Sequence, residues 1–401
     1  MSSISLLQTP GLFRGQWVIS RRDDLLWFVG GSLAGYLLFY LHAGLKLDMI
    51  AVWFAWVTLL DTPHFFGTYS RTYLDRIEWK RRKRLLLGSL GWFLLGPVMI
   101  GASALLFRAG VGLYQMPLTI MVVLVSAWAY LHVVRQHYGI LRLYSRKNGE
   151  TDAADQRLDW MLMHLCLFAP LAAFAVRHPE VRAMLQIPPG FATWPGWSLA
   201  TMTWEQVVVV ASMAVVAAVA GAFAFRQVRL VRAGGGLNVP KLLFLAAVVP
   251  FYVFICFSPA SCTAPLLGFA AFVTLSHDFQ YHALVWFHHR NRFHRSPAAD
   301  LSAHGLAPRL SRSFATFFGC ALAMSLVLRF LGCSLDLTPG CQPLVLTSHW
   351  PLFGEITSRE LLIGIIAGLQ MHHYFLDQFI WRPSRDTGLA HDLNLPSGAA
   401  V

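Results

Sequence analysis

PLLGFAAFVTLSHDFQYHALVWFHHRNRFHR, residues 265–295, decides how this chain is to be read. Pro265–Leu275 is an apolar run. The next twenty residues, Ser276–Arg295, hold five histidines, His277, His282, His288, His289 and His294, with Asp278 beside the first and Arg290, Arg292 and Arg295 at the close. Such a stretch begins inside a bilayer and ends in water. Ionisable groups within a span are costly and mark function by default.

The rest of the chain agrees with a membrane reading. It has 401 residues, 56% hydrophobic and 13% charged, with a mean hydropathy of +0.52; soluble chains carry roughly 25% charged residues. Several runs reach the ~20 apolar residues that cross a bilayer. The expected fold is all-α, a polytopic bundle of about ten transmembrane helices in one membrane domain over 1–401. It would have a cytoplasmic segment at 1–24, the bundle at 25–381 and a cytoplasmic tail at 382–401. The ten spans fall near 25–43, 47–69, 86–107, 115–141, 158–176, 204–226, 241–257, 264–288, 313–332 and 358–381. The formal charge of +12 excludes nothing by itself, but the basic residues sit in short loops beside spans, so no nucleic-acid partner is expected. The run Lys80–Arg84 is such a topology determinant, with anionic lipid as a secondary partner. With the N-terminus inside, 25 of the 32 Lys and Arg fall on one side and six on the other. That places both termini in the cytoplasm and the protein in a bacterial-type inner (plasma) membrane. Residues 1–20 contain Arg14 and a Pro-Gly pair and no continuous apolar core, so no cleavable leader is expected. The Pro/Trp-rich segment 177–203 is expected outside, and GGGLN at 234–238 to be a hinge. Among six cysteines, Cys333 and Cys341 are one candidate disulfide and Cys256 and Cys262 another.

Four spans running from outside to inside carry histidine: DTPH (61–64), HVVRQH (132–137), HDFQYH with HH (277–289) and HHYFLD (372–377). Counted back from Arg71, Arg142, Arg290 and Arg382, most of these groups lie about 8–20 Å below the inner surface at 1.5 Å per residue. Four helices therefore bring Asp61, His64, His132, His137, His277, Asp278, His282, His372, His373 and Asp377 to one slab, with His288 and His289 at the surface as outer ligands. Asp61/His64, Asp278/His282 and His373/Asp377 share helix faces. His132/His137 and His277/His282 are about 140° apart and need a wide or distorted site. Pro63 is expected to distort its helix.

Neutral imidazoles with carboxylates and no thiolate form a ligand set for iron or zinc. So many ligands suit two ions, and two irons would activate O₂ against a hydrophobic substrate. Tyr69, Tyr138, Trp286 and Tyr374 are candidate lining residues. Arg135, three residues from His132, would grip a substrate's acidic group or pair with a site carboxylate. For each aromatic, ordinary span packing is the plainer reading. His294 reads as a solvated loop residue. A buried polar network that holds helices together is the alternative for the whole set.

These pairs resemble the histidine boxes of the integral-membrane fatty acid desaturase and hydroxylase superfamily. The resemblance rests on His132/His137, His277/His282, His288-His289 and His372-His373. It implies two non-haem irons near the cytoplasmic face, O₂ as co-substrate, a lipid or isoprenoid substrate and a cytoplasmic electron donor. The spacing departs from those boxes: five residues separate His282 from His288-His289, and Gln370 precedes His372-His373 where an outlying histidine would stand. DTPHFFG at 61–67 gives a weaker likeness to bacterial carotene-cleaving membrane dioxygenases. Two other classes stand beside the oxidase: a bis-His haem electron-transfer protein, and a proton- or metal-coupled transporter. Zinc hydrolysis lacks an HExxH helix.

Overall fold

The computed structural model describes residues 13–185, 203–294, 298–337 and 350–396. Among them are ten long helices: α1 Arg21–Ala43, α2 Met49–Arg71, α3 Arg76–Arg108, α4 Met116–Lys147, α5 Ala153–Ala175, α6 Trp204–Arg232, α7 Val239–Phe257, α8 Leu266–His294, α9 Phe314–Ser334 and α10 Ser358–Ile380. Eight are long and apolar enough to cross a membrane, so this is a multi-pass helical membrane protein. Of the ten expected spans, those on α8 and α10 do not reach that hydropathy. Their histidines, aspartates and glutamines lower the hydropathy of the helices that carry most of the chemistry.

Polarity is inverted relative to a soluble bundle. Leu33 and Leu37 on α1 and Val207, Val210 and Met213 on α6 are exposed. The buried residues of α2 and α10 include His64, Thr68, His372, His373 and Asp377. In lipid, apolar surface loses nothing by facing outward, and polar groups must find partners inside.

The chain forms two compact units, 1–39 with 134–276, and 40–133 with 277–401. In the first, α6 and α7 pack on α5. Lys241 is buried between Asp159 (2.7 Å) and Glu150 (2.8 Å). Asn238 caps α7 and belongs to a short strand pairing Phe13–Arg14 with Leu237–Asn238, which anchors the expected hinge.

In the second unit α10 packs on α3 and α9 on α2. The α3–α10 crossing is close because it is made by glycines. A Cβ on Gly96 would lie 2.4 Å from the Gly364 carbonyl carbon, and one on Gly368 would lie 2.7 Å from Phe93 Cα. Gly364 and Gly368 are the small-xxx-small spacing that lets membrane helices approach. In α2 the α-helix Met49–Trp56 widens to a π-helical turn over Val57–Asp61 and resumes at Thr62, with Pro63 in its first turn. Proline lacks the N–H that this interruption would leave unbonded. The bulge leaves Asp61 and His64 4.0 Å apart.

The KRRKR run straddles a kink at Arg82, whose backbone leaves the helical region (φ −114°, ψ 16°), and is partly ion-paired. Arg81 and Arg82 both bind Asp386, at 2.9 and 2.8 Å, and Arg82 also binds Glu78. Cys333 is disulfide-bonded, while its expected partner Cys341 lies outside the described residues. Cys256 and Cys262 do not form the expected disulfide with each other. Most of the expected external segment, 186–202, also lies outside the described residues.

Candidate metal centre

One histidine from each of the four expected helices meets the others in the second unit. His64 on α2, His132 on α4, His277 on α8 and His373 on α10 offer nitrogens that all lie within 4.8 Å of one another, and all four side chains are buried. His64 Nε2 is 3.0 Å from His373 Nε2. The ring centroids of His132 stand 4.9 Å from His277 and 5.0 Å from His373.

A layer of hydrogen bonds orients these rings. Thr68 Oγ1 lies 2.7 Å from His373 Nδ1 and donates to Asp377 Oδ1, also at 2.7 Å. With its proton given to Asp377, Thr68 accepts from His373 Nδ1–H. That tautomer leaves His373 Nε2 with its lone pair toward the cluster. Tyr281 donates to the same Asp377 oxygen at 3.0 Å. The other, Asp377 Oδ2, is buried without a hydrogen bond and stands 3.8 Å from His373 Nε2 and 3.9 Å from His132 Nε2. On the opposite side, Trp56 Nε1–H donates to Asp278 Oδ2 at 2.8 Å, and Asp278 Oδ1 lies 3.2 Å from His64 Nδ1. Asp61, His64 and Asp278 make a second close group that shares His64 with the first. Arg329 on α9 is part-buried and donates to Thr62 next to Asp61 (3.4 Å).

The donor set fits a cation. His64 Nδ1, Asp278 Oδ1 and Asp377 Oδ2 are buried and lack hydrogen bonds among the described residues. Each such orphan costs about 1–3 kcal/mol. A cation among the rings would take up imidazole lone pairs and offset the charge of the facing carboxylate oxygens.

Five expected ligands lie elsewhere. His137 belongs to the first unit, its Nε2 3.0 Å from Tyr252 Oη. His282 turns to the Leu60 carbonyl (3.4 Å) and packs against Phe318. Both misses follow from the five-residue spacing, which sends the second ring to another side of the helix. His288 meets Asp392 at 3.4 Å and His289 meets Ser311 at 2.8 Å. Eleven residues separate His277 from His288, about 16 Å along the helix, too far for a shared centre. His372 faces Tyr73 Oη at 2.8 Å and stacks on Tyr69. Adjacent residues point about 100° apart on a helix, so His372 and His373 serve different neighbours.

Of the expected lining residues, Tyr374 lies against the centre, 4.7 Å from the His132 ring. Tyr69 contacts His372 instead, and Trp286 packs on Phe314 and Phe317. Tyr138 and Arg135 belong to the first unit; Tyr138 contacts His164, and Arg135 is exposed, not buried. Sequence reasoning missed Thr68 and Trp56 and did not foresee Tyr281 as a hydrogen-bond donor. A signal for two of them was present: Thr68 is four residues from His64 and Tyr281 four from His277, each on its histidine's face.

No protein-family model, curated protein or solved structure matches this chain.

Proposed function

We propose that this protein is a membrane-embedded, metal-dependent oxidase or oxygenase acting on a hydrophobic lipid or isoprenoid substrate. The observation that carries the proposal is the four-helix set His64, His132, His277 and His373, with carboxylates oriented on two sides of it. Four imidazoles without thiolate suit iron, zinc, copper or nickel. Iron is the choice that accepts further ligands beyond four and supplies O₂ chemistry when bound. A site walled by residues of helices of spanning length suits an apolar substrate, and Tyr374 and Phe65 offer rings beside His132 and His373. Ten spans, both termini inside, a bacterial inner membrane and a cytoplasmic electron donor belong to this reading.

His64 lies in both close groups and can give each ion one nitrogen. With Nε2 on the histidine side, Nδ1 faces Asp278 Oδ1 at 3.2 Å, close to the carboxylate–histidine–metal arrangement common around bound metals. The donors therefore favour one ion over the two expected from ligand number. A second ion at Asp61 and Asp278 would require His64 as a doubly deprotonated bridge. The haem alternative is less favoured: the porphyrin disc would have to displace two of the four clustered rings.

The test is elemental analysis and O₂ uptake of protein purified from iron-supplied cells. About one iron per chain, lost in His132→Ala and His373→Ala, is expected. A metal-free protein whose histidine variants lose only thermal stability would establish the helix-gluing network instead.

A further inference from the structure

A second built site lies in the same unit, where the α2–α3 turn meets the segment 301–312. The two are pinned together. Asp75 pairs with Gly305 as an isolated antiparallel bridge, Ala307 N–H donates to Leu74 O at 3.2 Å, and His304 Nδ1 binds Asp75 at 3.0 Å. Gly305 has φ +77°, and a Cβ there would lie 2.9 Å from Arg76 Cγ, so the approach needs glycine. Between these walls is a cavity of about 670 Å³, lined by Tyr73, Arg76, Leu301, Leu306, Arg309 and Arg312 among others.

The charges in this cavity are unbalanced. Arg81, Arg82 and Arg292, on neighbouring turns, are each ion-paired with Asp386, Glu78, Asp75 or Asp392. Arg76, Arg309 and Arg312 have no carboxylate partner among the described residues, and no acidic residue lines the cavity. Three guanidinium groups beside leucine and tyrosine walls, at the turn between two helices of spanning length, complement an anion attached to an apolar body. Guanidinium matches phosphate oxygens in paired N–H···O geometry.

We propose that this cavity seats the phosphate of an anionic lipid headgroup, with the acyl region against Leu74, Leu301 and Leu306. The site is independent of the metal centre and does not require the oxidase reading. It differs from the diffuse attraction of any basic rim, worth about 1 kcal/mol per residue, in having fixed walls and a definite residue set.

The experiment measures phosphatidylglycerol binding to the full chain in neutral detergent, by native mass spectrometry and lipid-dependent thermal shift. The Arg76→Gln/Arg309→Gln/Arg312→Gln variant is compared with Arg21→Gln/Arg22→Gln/Arg229→Gln, which removes the same charge from exposed positions outside the cavity and outside the Lys80–Arg84 run. The cavity variant is expected to bind about tenfold more weakly, with the control at wild-type affinity. Lipid-free melting of the cavity variant should match wild type, which separates lost binding from lost fold. Equal binding by both variants, or equal loss in both, overturns the proposal. A third arm titrates inorganic phosphate. Lipid-independent stabilisation that the cavity variant abolishes would reassign the site to a soluble phosphate ester and overturn the lipid.

Discussion

Thr68 shows what one hydroxyl does at this centre. By donating to Asp377 and accepting from His373, it fixes a tautomer that no ring contact could fix alone. Thr68→Val keeps the shape and removes these two bonds together with the one to Tyr281 Oη (2.6 Å). Metal affinity is expected to fall about 10–100-fold, as for other lost outer partners of metal-bound histidine, while the chain still inserts and folds; competition with a calibrated chelator measures it. Asp278→Asn should act similarly through His64, since an amide that keeps the Trp56 bond turns its NH₂ toward His64 Nδ1, where the carboxylate presents an oxygen at 3.2 Å. The reverse outcome is expected at His282, His288 and His372. Their partners are Leu60 O, Asp392 and Tyr73, so alanine there should leave metal content at the wild-type value in elemental analysis. Loss of metal in His288→Ala would overturn the four-histidine assignment.

Helices place these residues, and glycine places the helices. The α3–α10 contact brings backbone to backbone at Gly96/Gly364 and at Phe93/Gly368. Gly364→Leu adds four carbons where even a Cβ meets Gly96 Cα at 2.7 Å. Overpacking of this kind costs about 1–3 kcal/mol, and α10 must shift, taking His373 with it. Reduced melting temperature and reduced metal occupancy are expected together. An exposed glycine such as Gly101, with open space around it, should accept leucine with neither effect. The π-helical turn of α2 works in the same way: it accommodates Pro63 and sets the angle between Asp61 and His64.

For the whole molecule, the arginine-rich end is held by the C-terminal segment, which folds back through Asp386 and Asp392. Burial pulls both carboxyls upward, but other partners outweigh it. The Leu389 N–H and Arg81 hold Asp386, and His288 with Arg292 holds Asp392, below the usual carboxylate range. A carboxyl depressed in the folded state adds stability that is fully present above its unfolded pKa of about 3.9 and is lost as pH falls through the lower folded value. Melting in neutral detergent should therefore be flat from pH 7 to about 5 and decline below about 4. Asp386→Asn should lower the plateau and flatten the decline. An unchanged acid limb in Asp386→Asn/Asp392→Asn would show that the tail contributes nothing to acid stability.

The sequence by itself determined the class of this protein: apolar runs of spanning length, a polar slab recurring in four of them, and the helices on which His64, His132, His277 and His373 would be found. These are properties of composition and of distance along a helix axis, and both are local. Only the tertiary structure decided which histidines converge. Rotation about each axis is set by packing against neighbours, by the Gly96/Gly364 approach and by the widened turn before Pro63. The sequence reports distance along a helix axis, but it does not report which way a ring five residues further on will face. For that reason His137, His282 and His372, expected at the level of the centre, serve Tyr252, Leu60 and Tyr73 instead.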